Sequence, residues 1–494
     1  MIDYRIDLSE AHAHRYLVTL TLSKPEPQVH LSLPVWIPGS YLIREFARHL
    51  NGLQASQGGR PCPITTQGKA DWVVHCEGKG ALTVRYEVYA NDTSVRTAFL
   101  DHRRGFFNGT SVFLCVQGRE SLPHAVQIKA LPKGWSVATA LPARQVDARG
   151  QGWYEASDYD ALVDHPFELG TFWRQAFNVR GVPHELVVTG ASEHADLDRL
   201  LADTQAICSQ EIAFWHGRKK PPFSRYVFLL NVVEDGYGGL EHRDSTALIC
   251  SRKDLPRRDH QDTQSEGYTT LLGLISHEYF HTWNVKRLKP IEFAPYDYTR
   301  ENHTEMLWFF EGFTSYYDDL FLLRAGLIKP ADYLKLLNKP INQVLSTPGR
   351  LQQSVAQASH DAWTRYYRPD ENTANSTVSY YTKGSLVALC LDLSLRTGPA
   401  RDDGTTPHLD GVMRRLWALQ RPITESDVID ALEAESTEPP AHGADWASVI
   451  HDWVHGVGEL PLQTLLAQVG VSWTAKKPSL SQQWGLRVLE RNDA

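Results

Sequence analysis

Cysteine is scarce: six residues in 494, namely Cys62, Cys76, Cys115, Cys208, Cys250 and Cys390, with no CxxC pair among them. That excludes a disulfide framework and a thiolate zinc knuckle, and reads as reduced core cysteine. Positive charge is not in surplus either. The 50 Lys and Arg are outnumbered by 58 Asp and Glu, a formal net charge of −8, so a generally basic surface that coats nucleic acid is excluded. No apolar run approaches the ~20 residues that cross a bilayer, and the longest, around Leu271–Ile275, falls far short. The opening stretch MIDYRIDLSEAHAHRYLV places Asp3, Asp7 and Glu10 where an export signal needs a basic patch and an apolar segment. The expectation is a soluble cytoplasmic protein with no nucleic-acid or membrane partner. There is no internal repeat and no low-complexity tract.

What remains is an ordinary globular composition, 42% hydrophobic and 22% charged, in a chain long enough for roughly two to four domains. From Tyr4 to about Gly170, short alternating segments such as Tyr16–Leu22, Val29–Leu33, Leu82–Tyr89 and Val112–Val116 are separated by Gly, Pro and Asn turns. This predicts an antiparallel β-sandwich over 1–170. Strand candidates Glu185–Thr189 and Arg225–Val233 then flank a helix over Asp196–His216, after which the chain becomes mainly helical through Trp453. One helix is expected over Thr269–Leu288, ended by Pro290, and another over Met306–Ala325, ended by Gly326. The fold class is therefore α+β multidomain: an α/β domain over 171–330 follows the sandwich, a helical subdomain over 331–470 comes next, and Ser479–Ala494 reads as the beginning of a strand.

The sharpest chemical signal is His277-Glu278-Tyr279-Phe280-His281, an HExxH inside a predicted helix. Side chains four apart on a helix share a face, so the two imidazoles can hold one metal ion while Glu278 reaches a water bound to it. Two nitrogens and one carboxylate with an open fourth position suit Zn²⁺, although Co²⁺ or Mn²⁺ would be accepted by the same donors. The bland alternative is a chance pentapeptide with two structural histidines.

A third ligand must follow. Glu311 interrupts the bulky run Met306-Leu307-Trp308-Phe309-Phe310, and a carboxylate in a buried helix is costly unless a cation compensates it. Glu311 is assigned as the third ligand, with Glu301, in the polar stretch Tyr296–Thr304, held in reserve. An ion pair with a buried Arg or Lys is the competing reading of Glu311. Asp318 lies seven residues after Glu311 on the same helix face. It could fix a ligand histidine by accepting from its far nitrogen, or be a plain solvated acid.

The run SHEYFHTWNVKRLKP (Ser276–Pro290), with LWFFEGFTSYYDDL (Leu307–Leu320), resembles the glycyl aminopeptidase family of zinc metallopeptidases. That family belongs to the thermolysin-like gluzincins and is distantly related to the alanyl-type aminopeptidases. The likeness extends to Val35–Tyr41 and Asp158–Gly170. It implies a thermolysin-like catalytic domain, one zinc ion on His277, His281 and Glu311, and Glu278 as catalytic base. Tyr237-Gly238-Gly239-Leu240-Glu241-His242 resembles the strand edge on which related aminopeptidases hold substrate. Gly238 and Gly239 would leave that edge open to an extended peptide, and Glu241 would face its free α-ammonium group; a Gly-rich hairpin with a surface acid is the alternative. Tyr381-Thr382-Lys383-Gly384 resembles a motif whose Tyr donates to the oxyanion, with Tyr380 one residue away as the competing register. Members typically carry a PDZ-like module after the catalytic part, and 471–494 falls about where it would begin.

The resulting expectation is a zinc aminopeptidase that removes amino-terminal Gly, and secondarily Ala, from peptides with a free amino terminus. A thermolysin-type endopeptidase, or a peptide-binding protein with little turnover, is the rival. The cluster Trp363-Thr364-Arg365-Tyr366-Tyr367-Arg368 could be read as a nucleic-acid patch, but in an acidic chain a loop near the active site fits better.

Overall fold

Alternation of apolar and polar side chains along the first 170 residues builds sheets with one buried face. Strand Arg15–Leu22 buries every second residue, Tyr16, Val18, Leu20 and Leu22, as period-2 geometry requires. The computed structural model describes residues 2–260, 264–441, 443–477 and 480–484. The amino-terminal region contains an eight-stranded sheet and two four-stranded sheets. Pairing is antiparallel throughout except where Ile2–Asp7 runs parallel to His124–Lys129. The segment Val112–Val116 pairs only over Cys115–Val116, because a 3₁₀ turn occupies Gly109–Ser111 just before it.

A five-stranded sheet follows, in the spatial order Trp173–Val179, Val182–Thr189, Tyr226–Val233, Ser245–Ser251, Tyr237–Glu241. Its central strand, YVFLLNVV, is apolar almost throughout because both faces are covered. Val227 and Leu229 join the core of the amino-terminal sheets, while Phe228, Leu230 and Val232 join the helical core. The strand Tyr237–Glu241 pairs only with Ser245–Ser251 and forms the open edge.

Asp196 caps the helix Leu197–His216 by accepting from the Arg199 amide at 3.1 Å. The HExxH helix spans Glu266–Phe280 and ends eight residues earlier than the sequence suggests. His281 closes it, and the chain turns so that the Asn284 carbonyl returns to the His281 ring, with Val285 at φ +101°. The second expected helix is divided at Glu311 into Leu307–Phe310 and Gly312–Arg324. A Cβ on Gly312 would lie 2.6 Å from the Gly384 backbone of the helix Tyr380–Thr397, so two glycines let these helices touch. Of the carboxy-terminal segment, Leu480–Gln483 is helical rather than extended, and 485–494 lies outside the described residues. No described helix is long and apolar enough to cross a membrane.

Candidate active site

The helical spacing of His277 and His281 does what the sequence implies. Their Nε2 atoms lie 3.1 Å apart. Glu311 Oε2 is 3.1 Å from His281 Nε2 and 3.8 Å from His277 Nε2. Three donors around one ion at ~2.0–2.1 Å, tetrahedrally disposed, would stand ~3.3 Å apart. The far nitrogens are both spoken for: His277 Nδ1 donates to Asp318 Oδ2 at 3.0 Å, and His281 Nδ1 to the Asn284 carbonyl at 2.8 Å. That tautomer leaves a lone pair on each Nε2. Two lone pairs and a carboxylate that is 2% exposed converge on one point, a donor set suited to a divalent cation, and these three residues form the described cluster able to hold one.

With protons on the imidazoles in the place a cation would take, the same three groups stabilise one another's charge. Burial works to raise Glu311, yet the charge of His281 and hydrogen bonds from both imidazoles hold it down to about 2. Burial works to lower His277, but its bonds to Asp318 and Glu311 carry it well above the usual imidazole range. Glu278 behaves oppositely: burial pushes it up to about 7, His277 opposes, and Glu241 adds to the rise.

Glu278 is buried, and its Oε2 has no hydrogen-bond partner. Its other oxygen packs against Gly239, where a Cβ would lie 2.1 Å away. Glu241, at the far end of the edge strand, is 4% exposed, and its Oε1 is also unpartnered. The cavity these residues line is about 620 Å³ and is walled further by Gly238, Tyr366, Tyr367, Tyr381 and Arg96. A larger cavity of about 1020 Å³ lies elsewhere and contains neither histidine nor Glu311. Tyr381 stacks toward His277 at 6.3 Å between ring centroids, with its hydroxyl 3.3 Å from that of Tyr367. Tyr380 points into the core instead, fully buried and off the cavity wall. Glu301 is exposed and outside the cluster.

Sequence reasoning missed how the segment Val35–Tyr41 enters this site. Pro38 and Gly39 occupy the central positions of a type II turn, closed by Ser40 N–H donating to Ile37 O at 3.1 Å, with Gly39 at φ +88°. A Cβ on Gly39 would lie 2.3 Å from Glu241 Oε2. Glycine is thus required both by the turn and by the carboxylate beneath it. Trp36 pins the segment through Nε1 to the Asp297 carbonyl at 2.8 Å, and Tyr41 donates to Glu311 Oε1 at 3.1 Å. Asn284 was missed too: its side chain donates to Phe310 O and to Thr314 Oγ1, both at 3.1 Å, tying the turn after the HExxH helix to the Glu311 segment. The Pro-Gly pair was a readable turn signal, but nothing local marks where that turn docks.

Residues 3–171 match the Peptidase M61 N-terminal domain, and residues 270–387 match the M61 glycyl aminopeptidase model. Over 94% of its length the chain is similar to a crystal structure of an aminopeptidase N family protein from Idiomarina loihiensis, at 41% identity and a TM-score of 0.88, covering 78% of that chain. The chain belongs to the M61 glycyl aminopeptidase family. As a member of the family it is a metallo-aminopeptidase by class. The fold is shared with an M1 zinc metallopeptidase from Deinococcus radiodurans solved with a Tyr-Ser-Ala substrate, at 13% identity and a TM-score of 0.54, with 93% of this chain and 94% of that one covered. It is also shared with Legionella pneumophila aminopeptidase A in complex with aspartic acid, at 13% identity and a TM-score of 0.57, with 92% and 48% covered. No curated protein matches the chain.

Proposed function

We propose that this M61 enzyme is a zinc-dependent aminopeptidase that removes small residues, Gly before Ala, from the free amino terminus of peptides. The observation that carries the reading is Glu241. Its buried, unpartnered carboxylate oxygen stands on the wall of the same cavity as Glu278 and the His277–His281–Glu311 cluster, and an α-ammonium group is the partner that would satisfy it.

His277, His281 and Glu311 would hold one Zn²⁺. When bound, that ion supplies a Lewis acid for the scissile carbonyl and lowers the pKa of water toward ~7. Glu278, close to the cluster and raised toward neutrality by burial, takes the proton from the attacking water and returns it to the leaving amine. Tyr381 donates its phenolic proton to the oxyanion as charge develops there, a contribution made only in the transition state. Asp318 and the Asn284 carbonyl keep each imidazole in the ligating tautomer. The peptide main chain adds to the edge Tyr237–Glu241, which among the described residues has no strand partner on that side and where only the Arg96 guanidinium touches the Gly239 carbonyl. Gly39 lies close enough to Glu241 that no side chain fits between them, and the preference for a small first residue is carried by the family resemblance.

The test is turnover of glycyl, alanyl and leucyl arylamides with and without chelator, alongside a peptide and its amino-acetylated form. Glycyl turnover should exceed leucyl, stop with chelator and be lost on acetylation. Retained cleavage of the acetylated peptide would make the enzyme an endopeptidase; binding without cleavage in any arm would make it a peptide-binding protein.

A further inference from the structure

The cavity has a positive end that the proposed chemistry does not use. Arg96 reaches it from the amino-terminal sheets and lies over the edge strand: its Nη2 donates to the Gly239 carbonyl at 3.4 Å, and a Cβ on Gly238 would stand 3.9 Å from its Nη1. Its Nε is buried and without an acceptor. Beside it Arg44 donates through Nη2 to Ser40 Oγ, and its Nε is likewise buried and unsatisfied. Among the described residues neither guanidinium forms an ion pair. The two half-buried arginines repel each other; burial first, and then the charge of Arg96, lowers Arg44 to about 10, with Tyr367 and the more distant Asp92 only partly offsetting this. Such a pair is held ready for an anion that the protein itself does not provide, and a planar carboxylate matches the guanidinium fork.

Position identifies the anion. Glu241 and Gly238 are three residues apart on one strand, which at ~3.4 Å per residue separates them by ~10 Å. With its ammonium group at Glu241, an extended peptide of two or three residues places its far end under Arg96. This rests on the reading of Glu241 as the amine anchor. We propose that Arg96, seconded by Arg44, recognises a substrate carboxylate two or three residues from the amino terminus, so that the enzyme is selective for short peptides bearing that charge. The carboxylate can be the terminal one of a di- or tripeptide or an acidic side chain at the same distance.

The test measures kcat and KM of the full chain, zinc-loaded, on Gly-Ala and Gly-Ala-Ala as free acids, on the corresponding amides, and on Gly-Ala-Asp-amide. The free acids should show kcat/KM at least tenfold above the amides, mostly through KM. In Arg96→Gln the acid-to-amide ratio should fall toward one, with Arg96→Lys keeping part of it. Arg44→Gln should lower the ratio less, and serves if the first variant does not fold. Recovery of the full rate with Gly-Ala-Asp-amide would assign recognition to any carboxylate at that distance, and no recovery to the terminal one. Equal turnover of acid and amide by the wild type, or an unchanged ratio in both folded Gln variants, would overturn the proposal while leaving the aminopeptidase reading intact. No turnover of any of these peptides would instead strike that reading itself.

Discussion

The hydroxyl of Tyr41 donates to Glu311 Oε1 at 3.1 Å, joining residues 270 positions apart. The bond occupies one carboxylate oxygen and leaves Oε2 turned to the two imidazoles. The amino-terminal region therefore does more than cover the catalytic sheet; it orients a proposed metal ligand. Tyr41→Phe removes only that donor, and outer partners of this kind are worth ~10–100-fold in metal affinity. Zinc affinity by chelator competition should fall by about tenfold in the variant with the fold retained. Unchanged affinity would mean that Glu311 is oriented by packing alone.

Asp318 holds His277 through a single Nδ1 bond at 3.0 Å. Asn at this position can still accept that hydrogen bond through its amide oxygen, whereas Ala cannot. Asp318→Ala should therefore lose more zinc affinity than Asp318→Asn, within the same ~10–100-fold range. Equal affinities for both variants and the wild type would remove Asp318 from the site.

Gly239 has no room for a side chain, because its Cβ would lie 2.1 Å from Glu278 Oε1. Gly239→Ala should displace the proposed base without touching the three ligand atoms. A misplaced general base costs ~10²–10⁴-fold, so kcat should fall by about a hundredfold or more while zinc content, measured by elemental analysis, stays at the wild-type level. Loss of zinc together with activity would show that the strand and the ligand cluster are mechanically one unit.

The chemistry of this site was more legible than its walls. HExxH is a helical spacing rule, and Glu311 announced itself as a carboxylate in an apolar run, so both could be read from a few consecutive residues. The division at Glu311 could not, since apolar periodicity passes through Gly312 unbroken, and neither could the close approach of Gly312 to Gly384 on another helix. Nor could the early end of the HExxH helix, which is set by the return of the Asn284 carbonyl to His281. Tyr41 and Arg96 reach the site from loops that the sequence places far away, and local pattern carries no information on where such a loop docks. Tyr366 and Tyr367, read as a loop near the active site, do line the cavity.

The contact between Gly312 and Gly384 predicts a stability effect separate from catalysis. A Cβ at 312 would meet the Gly384 backbone at 2.6 Å, and overpacking of a tight crossing costs about 1–3 kcal/mol. Gly312→Ala should lower the midpoint of thermal unfolding. An unchanged or raised midpoint would show that the helices separate without penalty.

His184 gives the stability a pH dependence. The ring is buried between the Val182 carbonyl at 3.0 Å and the Tyr279 hydroxyl at 2.7 Å, and burial lowers it to about 4. The unfolded chain, with histidine near ~6.5, then binds more protons than the native state, so stability rises with pH across that window. The contribution is fully present above ~6.5 and is lost as pH falls toward 4, about 3 kcal/mol in all. Urea unfolding between pH 7 and 4 should show this slope, reduced in His184→Gln. The same slope in both proteins would assign it to other groups.

The most direct measurement is zinc stoichiometry of the chelator-stripped protein and of its Glu311→Ala variant, titrated with Zn²⁺ while glycyl arylamide turnover is followed. The wild type should bind one equivalent, with activity rising in step, and the variant should bind much more weakly and remain inactive. Full activity in the stripped protein, or an unchanged stoichiometric end point in Glu311→Ala, would contradict the account.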